Sequence, residues 1–451
     1  MVYSYLHLSN LIILTVITIM QKLLQWRVVS LWLAFVLINL SIPISSYGAN
    51  ITTNLYTDVE KSVYQIRVIN KQTGKKITIG SGFVVGREDI VATNYHVVSS
   101  YVNDINNYTL DYLSKSGKTG ELTLLDLDIV HDLAVLKASQ PLGKPLGLGK
   151  VPRKGANLYS IGNPLDLGLS IVEGTNNGVL EYSTDQNILF SGSLNAGMSG
   201  GPTLDEQGLV VGINVATSGN EISFLVAARH LGVILDRLKL RNYTPVQDLN
   251  TYISQQLIEN MRSYLQELLK SKQDNQWNYT HIGQLKVPTE MNSTVRCWDG
   301  SESKENGSLL VNYFTQCSNE RSIFLKEGMD VGQFQYQYDW FEGNGLWSTH
   351  FYRLYEGKNG VEALNNKLTT KDVTAFQCFT NFVKIADRPF KVSICRRNYL
   401  NYEGLSDVVV NGVLVGEKTQ GFIFNLDMVG TEFDYSLKVV EALIGAFEWK
   451  K

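Results

Sequence analysis

The chain has 451 residues, of which 44% are hydrophobic and 18% charged, with a formal net charge of −3. That length suits two or three domains, and the near-neutral balance excludes an electrostatic case for binding nucleic acid or an acidic surface. With 38 Gly and 23 Tyr against few charges, the composition predicts many short strands and turns rather than long charged helices.

Two apolar runs open the chain. The first, Leu11 to Met20, has no Lys or Arg before it; the second, Val28 to Leu40, follows Lys22 and Arg27. Basic residues, an apolar stretch, then the small residues Ser46 and Gly48 have the layout of a secretory signal. The expectation is a leader over residues 1–49, with translation starting at Met20 and cleavage near Gly48. A membrane anchor is the rival reading, but thirteen apolar residues fall short of the roughly twenty that a spanning helix needs.

From residue 50 to 240 short apolar runs alternate with Gly and Asn/Asp clusters, which predicts an all-β barrel or sandwich. Val63 to Ile69, Ile77 to Val85, Ile90 to Val98, Leu122 to Leu127 and Leu133 to Lys137 read as strands, and Leu225 to Leu238 as a helix. Three residues stand out: His96 at the end of the third run, Asp132 at the head of Asp-Leu-Ala-Val-Leu-Lys, and Ser199 inside Asn195-Ala-Gly-Met-Ser-Gly-Gly-Pro202. A serine is a weak nucleophile until an imidazole takes its proton, and the imidazole needs a carboxylate to fix its other nitrogen. Glycines around the serine let two backbone N–H groups converge on one oxygen.

These stretches, with Gly80-Ser-Gly-Phe-Val-Val85, Ile161-Gly-Asn-Pro164, Val211-Gly-Ile-Asn214 and Ile222-Ser-Phe-Leu225, resemble the trypsin-like (chymotrypsin-fold) serine proteases of the HtrA/Deg type over roughly residues 55–240. The resemblance implies a pair of six-stranded β-barrels with the active site between them. It implies His96 as general base, Asp132 as its orienter and Ser199 as nucleophile, with the N–H groups of Gly197 and Ser199 forming the oxyanion hole. By motif position Ser193 lies at the base of the substrate pocket, with Asn214, Val215, Ala216, Ser223 and Phe224 in its walls. No carboxylate is among these, so the P1 preference expected is apolar rather than Lys or Arg. Met198 departs from the family: it cannot make the ion pair with a new N-terminal amine that activates some relatives, so packing or other contacts must order the loop. His131, His230, His281 and His350 are read as structural or surface residues.

Beyond residue 240, Thr244-Pro-Val-Gln247 reads as a helix start. The stripe Val246, Leu249, Ile253, Leu257, Met261, Leu265, Leu268 predicts a connecting helix of about twenty-five residues within 241–275. It packs on its own chain or, alternatively, joins protomers. Residues 276–451 read as a β-rich domain with no recognisable PDZ pattern. Phe334, Tyr336, Tyr338 and Trp340 alternate along one strand, as core or as an exposed aromatic platform. Glu342 to Gly345 reads as a turn, Leu346 to Leu354 as its return strand, Phe422 to Leu426 as a further strand and Tyr435 to Phe447 as a closing helix. All four cysteines lie here, without C-x-x-C spacing. The local pairs Cys297–Cys317 and Cys378–Cys395 are the first choice among the disulfide connectivities, and four reduced core cysteines the alternative.

The sequence therefore predicts a mainly β, exported serine endopeptidase acting on protein or peptide substrates, with no metal or cofactor. Self-association or a partner protein would engage the connecting helix or the C-terminal domain. The alternatives are an inactive protease-fold scaffold, and a peptide- or glycan-binding C-terminal module with an accessory protease.

Overall fold

The computed structural model describes residues 47–180, 183–217, 222–301, 308–360 and 368–450. The leader reading, with its start at Met20 and its apolar run to Leu40, lies outside them; Gly48 falls in the first turn of a helix, α1 (Tyr47–Val59). No helix among the described residues is long and apolar enough to cross a membrane. The barrels, the sheet and the candidate site all lie within one compact unit that begins at Leu55.

Two closed barrels come first. In one, β1 (Val63–Asn70), β2 (Lys76–Val84), β3 (Ile90–Thr93), β4 (Tyr108–Leu113), β5 (Thr119–Asp128) and β6 (Leu133–Ala138) close in the order β1-β2-β3-β6-β5-β4. In the other, β7 (Asn157–Gly162), β8 (Ser170–Val179), β9 (Ile188–Phe190), β10 (Pro202–Leu204), β11 (Val210–Thr217) and β12 (Ser223–Ala227) close as β10-β11-β12-β9-β8-β7. Alternating apolar residues fill each interior, as in Ile66 and Val68 of β1 or Leu158 of β7, all fully buried.

The predicted third strand stops early. It ends at Thr93, and Tyr95–Asn103 forms a helix, α2, that carries His96 in its first turn. Tyr95, Val97, Val98 and Val102 are among its buried residues; positions 95, 98 and 102 recur at three and four, a helical period that the β-branched valines disguise. The second barrel is followed by α3 (Ala228–Leu240) and by α4 (Leu249–Gln273), whose 25 residues match the predicted length. Its cap is Asp248, which accepts from the N–H of Thr251, rather than Thr244. The apolar stripe of α4 is used within the chain: Ile253 and Leu257 enter the first barrel's core, and Met261, Leu265 and Leu268 enter a second core beyond it.

That second core lies against a seven-stranded antiparallel sheet. Its strands are β15 (Arg296–Asp299), β16 (Leu310–Ser318), β19 (Phe334–Gly343), β20 (Gln377–Ile385), β21 (Arg388–Asn398), β22 (Ser406–Leu414) and β23 (Gln420–Thr431), in the order β15-β16-β19-β23-β22-β21-β20. Phe334, Tyr336, Tyr338 and Trp340 are at most 1% exposed, so the aromatic face is core and not a platform. β13 (Tyr279–Ile282), β14 (Leu285–Pro288) and β24 (Glu448–Trp449) form a small sheet, and α6 (Phe433–Ile444) supplies the closing helix. The predicted return strand at Leu346 is instead a helix, α5 (Ser348–Lys358), which buries Phe351 and Tyr355 one turn apart. Cys297 sits directly opposite Cys317, and Cys378 opposite Cys395, and both pairs are disulfide-bonded.

A two-stranded hairpin, β17 (Ile323–Lys326) and β18 (Met329–Val331), leaves the sheet and packs on the first barrel. Ile323, Leu325, Met329 and Val331 share one core with Ile66, Val97, Val98 and Leu127. The boundary expected at residue 276 marks the end of α4, but packing continues across it.

Candidate active site

The site begins with the end of β3 and the turn into α2. The Asp132 carboxylate accepts from the backbone N–H of His96 through Oδ1 at 2.8 Å, and its Oδ2 lies 2.6 Å from His96 Nδ1. One carboxylate thus caps the first turn of the helix and fixes the ring that the helix carries. A helix N-terminus favours negative charge there. Asp132 itself has φ +54°, a left-handed conformation that Asp tolerates better than most residues. Its carbonyl is held by Asn94 Nδ2 at 2.8 Å and by the N–H of Tyr95 at 3.1 Å. Burial pushes the His96 imidazole down, but the charge and the hydrogen bond of Asp132 outweigh it and leave the pKa above the ordinary histidine value.

Ser199 lies in the loop before β10. Its hydroxyl donates to the carbonyl of Val215 at 2.7 Å, so the rotamer on view is turned toward β11. The contacts that hold the loop come from the two barrels and their connections. Ser81 of β2 is fully buried; its Oγ donates to Gly197 O at 2.7 Å, and its N–H donates to Ser199 O at 2.7 Å. The N–H of Leu165 donates to Ala196 O at 2.8 Å. In a trans peptide the C=O and N–H point opposite ways, so this last bond turns the N–H of Gly197 away from Leu165. Neither Gly197 nor Ser199 gives its N–H to a backbone carbonyl among the described residues. Gly197 has φ +92°, and a Cβ there would come within 2.4 Å of Asn163 O, so only glycine fits.

Met198 is fully buried in the second barrel's core with Leu158, Phe190, Val211 and Leu225. Its carbonyl accepts from Asn214 Nδ2 at 3.2 Å. Packing inside the barrel therefore stands where other chains use an ion pair.

The proposed pocket residues separate into groups. Ser193 is exposed at the loop mouth, Phe224 is half-buried, and Ser223 is buried with its Oγ accepting from the N–H of Leu194 at 3.3 Å. The Asn214 side chain is fully buried, bonded to Thr203 Oγ1 and to the carbonyls of Ile161 and Met198, so it braces the loop. The Val215 carbonyl holds the Ser199 hydroxyl. Ala216 pairs with Phe224 in the β11–β12 ladder.

Behind Asp132 lies a histidine pair whose contact is not legible in the sequence. His131 Nδ1 is 2.7 Å from Asp128 Oδ2, and its ring stacks on His230 of α3 with centroids 3.7 Å apart. Ser81 is a further residue that sequence reasoning misses, although it sits in the Gly-Ser-Gly stretch that carries the resemblance. Beside His96 stands Phe324 of the β17–β18 hairpin, its ring centroid 6.3 Å away and nearly perpendicular at 83°. Nothing local to Phe324 in the sequence signals this placement.

Residues 80–213 match the family described as the trypsin-like peptidase domain. Serine protease HTRA1B of Danio rerio is 29% identical over 179 residues, covering 37% of this chain and 36% of the relative. The probable periplasmic serine endoprotease DegP-like of Brucella suis biovar 1 (strain 1330) is 32% identical over 179 residues, covering 36% of this chain and 33% of the relative. The chain thus spans about a third of the length of these two relatives. The crystal structure of Deg5 aligns at 25% identity with a TM-score of 0.38, over 43% of this chain and 96% of that one.

Proposed function

We propose that this chain, which belongs to the trypsin-like peptidases of the HtrA/Deg type over residues 80–213, hydrolyses peptide bonds as a serine endopeptidase. The observation that carries the reading is the His96–Asp132 pair, held at 2.6 Å with the carboxylate also capping the helix, beside a glycine loop that holds Ser199. In the reaction Ser199 Oγ turns from the Val215 carbonyl toward His96 and attacks the substrate carbonyl. His96 takes the hydroxyl proton and returns it to the leaving amine, while Asp132 holds the ring and stabilises the imidazolium. The N–H groups of Gly197 and Ser199 receive the oxyanion. Water then hydrolyses the acyl-enzyme by the same proton relay.

The substrates are proteins or peptides, with an apolar side chain at P1, since Ser193, Val215, Ser223 and Phe224 bring no carboxylate to the pocket. An exported location is favoured by the apolar run Val28 to Leu40 behind Lys22 and Arg27, and by two disulfides, which persist in oxidising compartments. The inactive-scaffold reading is separated by one experiment. A fluorophosphonate probe should label the wild-type chain and leave Ser199→Ala unlabelled, with peptide cleavage lost in the same variant. A wild-type chain that resists the probe under all conditions would overturn the proposal.

A further inference from the structure

The hairpin β17–β18 belongs by sequence to the C-terminal region, yet it is seated on the helix that carries His96. Its seat is rigid. Tyr95, fully buried, donates its hydroxyl to Leu325 O at 2.7 Å, and Tyr402 donates to Asn103 Oδ1 at 2.9 Å at the other end of α2. Ile323 and Leu325 point into the shared core and are at most 4% exposed. Strand alternation turns Phe324 the other way. That ring is half-buried and meets the rings of Tyr95 and His96 edge-on at 6.5 and 6.3 Å. Lys326, two residues on, is taken up by Asp372. Asp330, opposite Phe324 in the ladder, bonds Ser322. The aromatic ring is the group this face has left to offer.

We infer that Phe324 is a specificity-determining residue of the cleavage site: the C-terminal region supplies an apolar wall for the substrate side chain that packs over His96. An extended substrate turns successive side chains to opposite sides. With P1 entering the pocket beside Ser193, the residue before it faces His96 and Phe324. The side chain selected there is apolar or aromatic, because it buries hydrocarbon against a ring whose polar neighbours are already paired. The inference rests on the serine endopeptidase reading above.

The test uses the full chain as wild type, Phe324→Ala and Phe324→Leu, with peptides of fixed P1 and a varied preceding residue, and fluorophosphonate labelling in parallel. Wild type should favour Phe or Leu over Ser at that position. Phe324→Ala should lose about tenfold of this preference, the scale of a few methylenes in an apolar pocket, with the change carried in KM. Phe324→Leu should restore most of it. Labelling, which needs His96 but no substrate side chain, should persist in both variants. An unchanged preference in labelled Phe324→Ala would overturn the inference and leave the endopeptidase reading standing. So would an equal fall in kcat for every peptide, which would mean that the ring only positions His96. An unlabelled wild type would remove both.

Discussion

At the level of single residues, the balance around His96 sets a pH dependence. The base must be neutral to accept the Ser199 proton, so activity rises as the imidazole loses its own. Asp132 raises the His96 pKa above the ordinary value against the opposing pull of burial. The midpoint of the rise in kcat/KM should therefore lie above pH ~6.5, the usual histidine value. Asp132→Asn removes the raising influence and leaves burial, so the residual activity should titrate lower and the rate should fall by about 10⁴. A pH–rate profile of both forms checks the direction; a midpoint that stays put would show that another base is at work. Ser81 makes a subtler claim. Ser81→Ala deletes the bond to Gly197 O and loosens the Gly197–Met198 peptide, which links the two residues that present the oxyanion donors. One such bond is worth about 1 to 1.5 kcal/mol, so kcat should fall roughly tenfold with KM little changed and the fold intact by circular dichroism. His96, Asp132 and Ser199 are legible in the sequence because their chemistry is specific and their flanking residues distinctive. Ser81 is not, because its work depends on β2 passing under the loop, which only the closed barrels bring about.

Among elements, the strands are easier to read than the helices. Short apolar runs set off by Gly and Asn/Asp clusters identify β1, β2, β5 and β6 within a few residues of their observed ends. α2 is hidden because Val97 and Val98 follow a β-rich run, and β-branched residues favour strands until tertiary packing overrides them. α5 is hidden by the glycine turn before it, which suggests a hairpin; Phe351 and Tyr355, four apart, are the helical pair that betrays it. α3 carries a prediction of its own. His230, in its first turn, is pushed down to about 4 by burial, then by His131 and Arg229. In the unfolded chain it titrates near ~6.5. Between those values the unfolded state binds a proton that the folded state refuses, so this group's contribution to stability is intact above pH ~6.5 and is lost progressively toward pH ~4. His230 Nε2 is buried with no hydrogen-bond partner among the described residues, so replacing the ring removes no such bond at that atom. His230→Leu should flatten the fall of the melting temperature across that window, with little change under mildly alkaline conditions. An unaltered slope would show that the acid sensitivity lies elsewhere. The same helix and the residue that follows it help anchor the first barrel: Arg237 and Arg241 both bind Asp126, which is fully buried, and Tyr252 of α4 adds a bond at 3.0 Å. Asp126→Ala would leave two arginines without their carboxylate and should cost about 3–5 kcal/mol in denaturant unfolding.

For the molecule as a whole, the first barrel's core and the sheet's core are linked by α4 and by the β17–β18 hairpin, with Tyr402 and Leu405 packed beside them. α4 spends its first turns in the core of the first barrel and its later turns against the sheet. The β17–β18 hairpin returns from the sheet side to the same barrel, and Arg321 beside it pairs with Asp185 of the second barrel's β8–β9 connection. Residue patterning reveals the β character of both halves but not this embrace, because contacts between residues more than two hundred positions apart, such as Tyr95 with Leu325, leave no local period. The physical consequence concerns cooperativity. Domains tied by exposed linkers unfold separately, whereas a shared apolar core couples them. Leu325 is the residue to test, since it is fully buried in the core common to the hairpin and the barrel. Leu325→Ala should cost about 2–5 kcal/mol. Calorimetry of the wild-type chain should show one main transition for residues 55–451, and the variant should move that whole transition downward. The hairpin also carries Phe324, so peptide cleavage by Leu325→Ala should weaken at temperatures where the fold is still intact. Two resolved transitions, with the substitution shifting only one and cleavage unaffected, would mean that the sheet rides on the protease without being part of it.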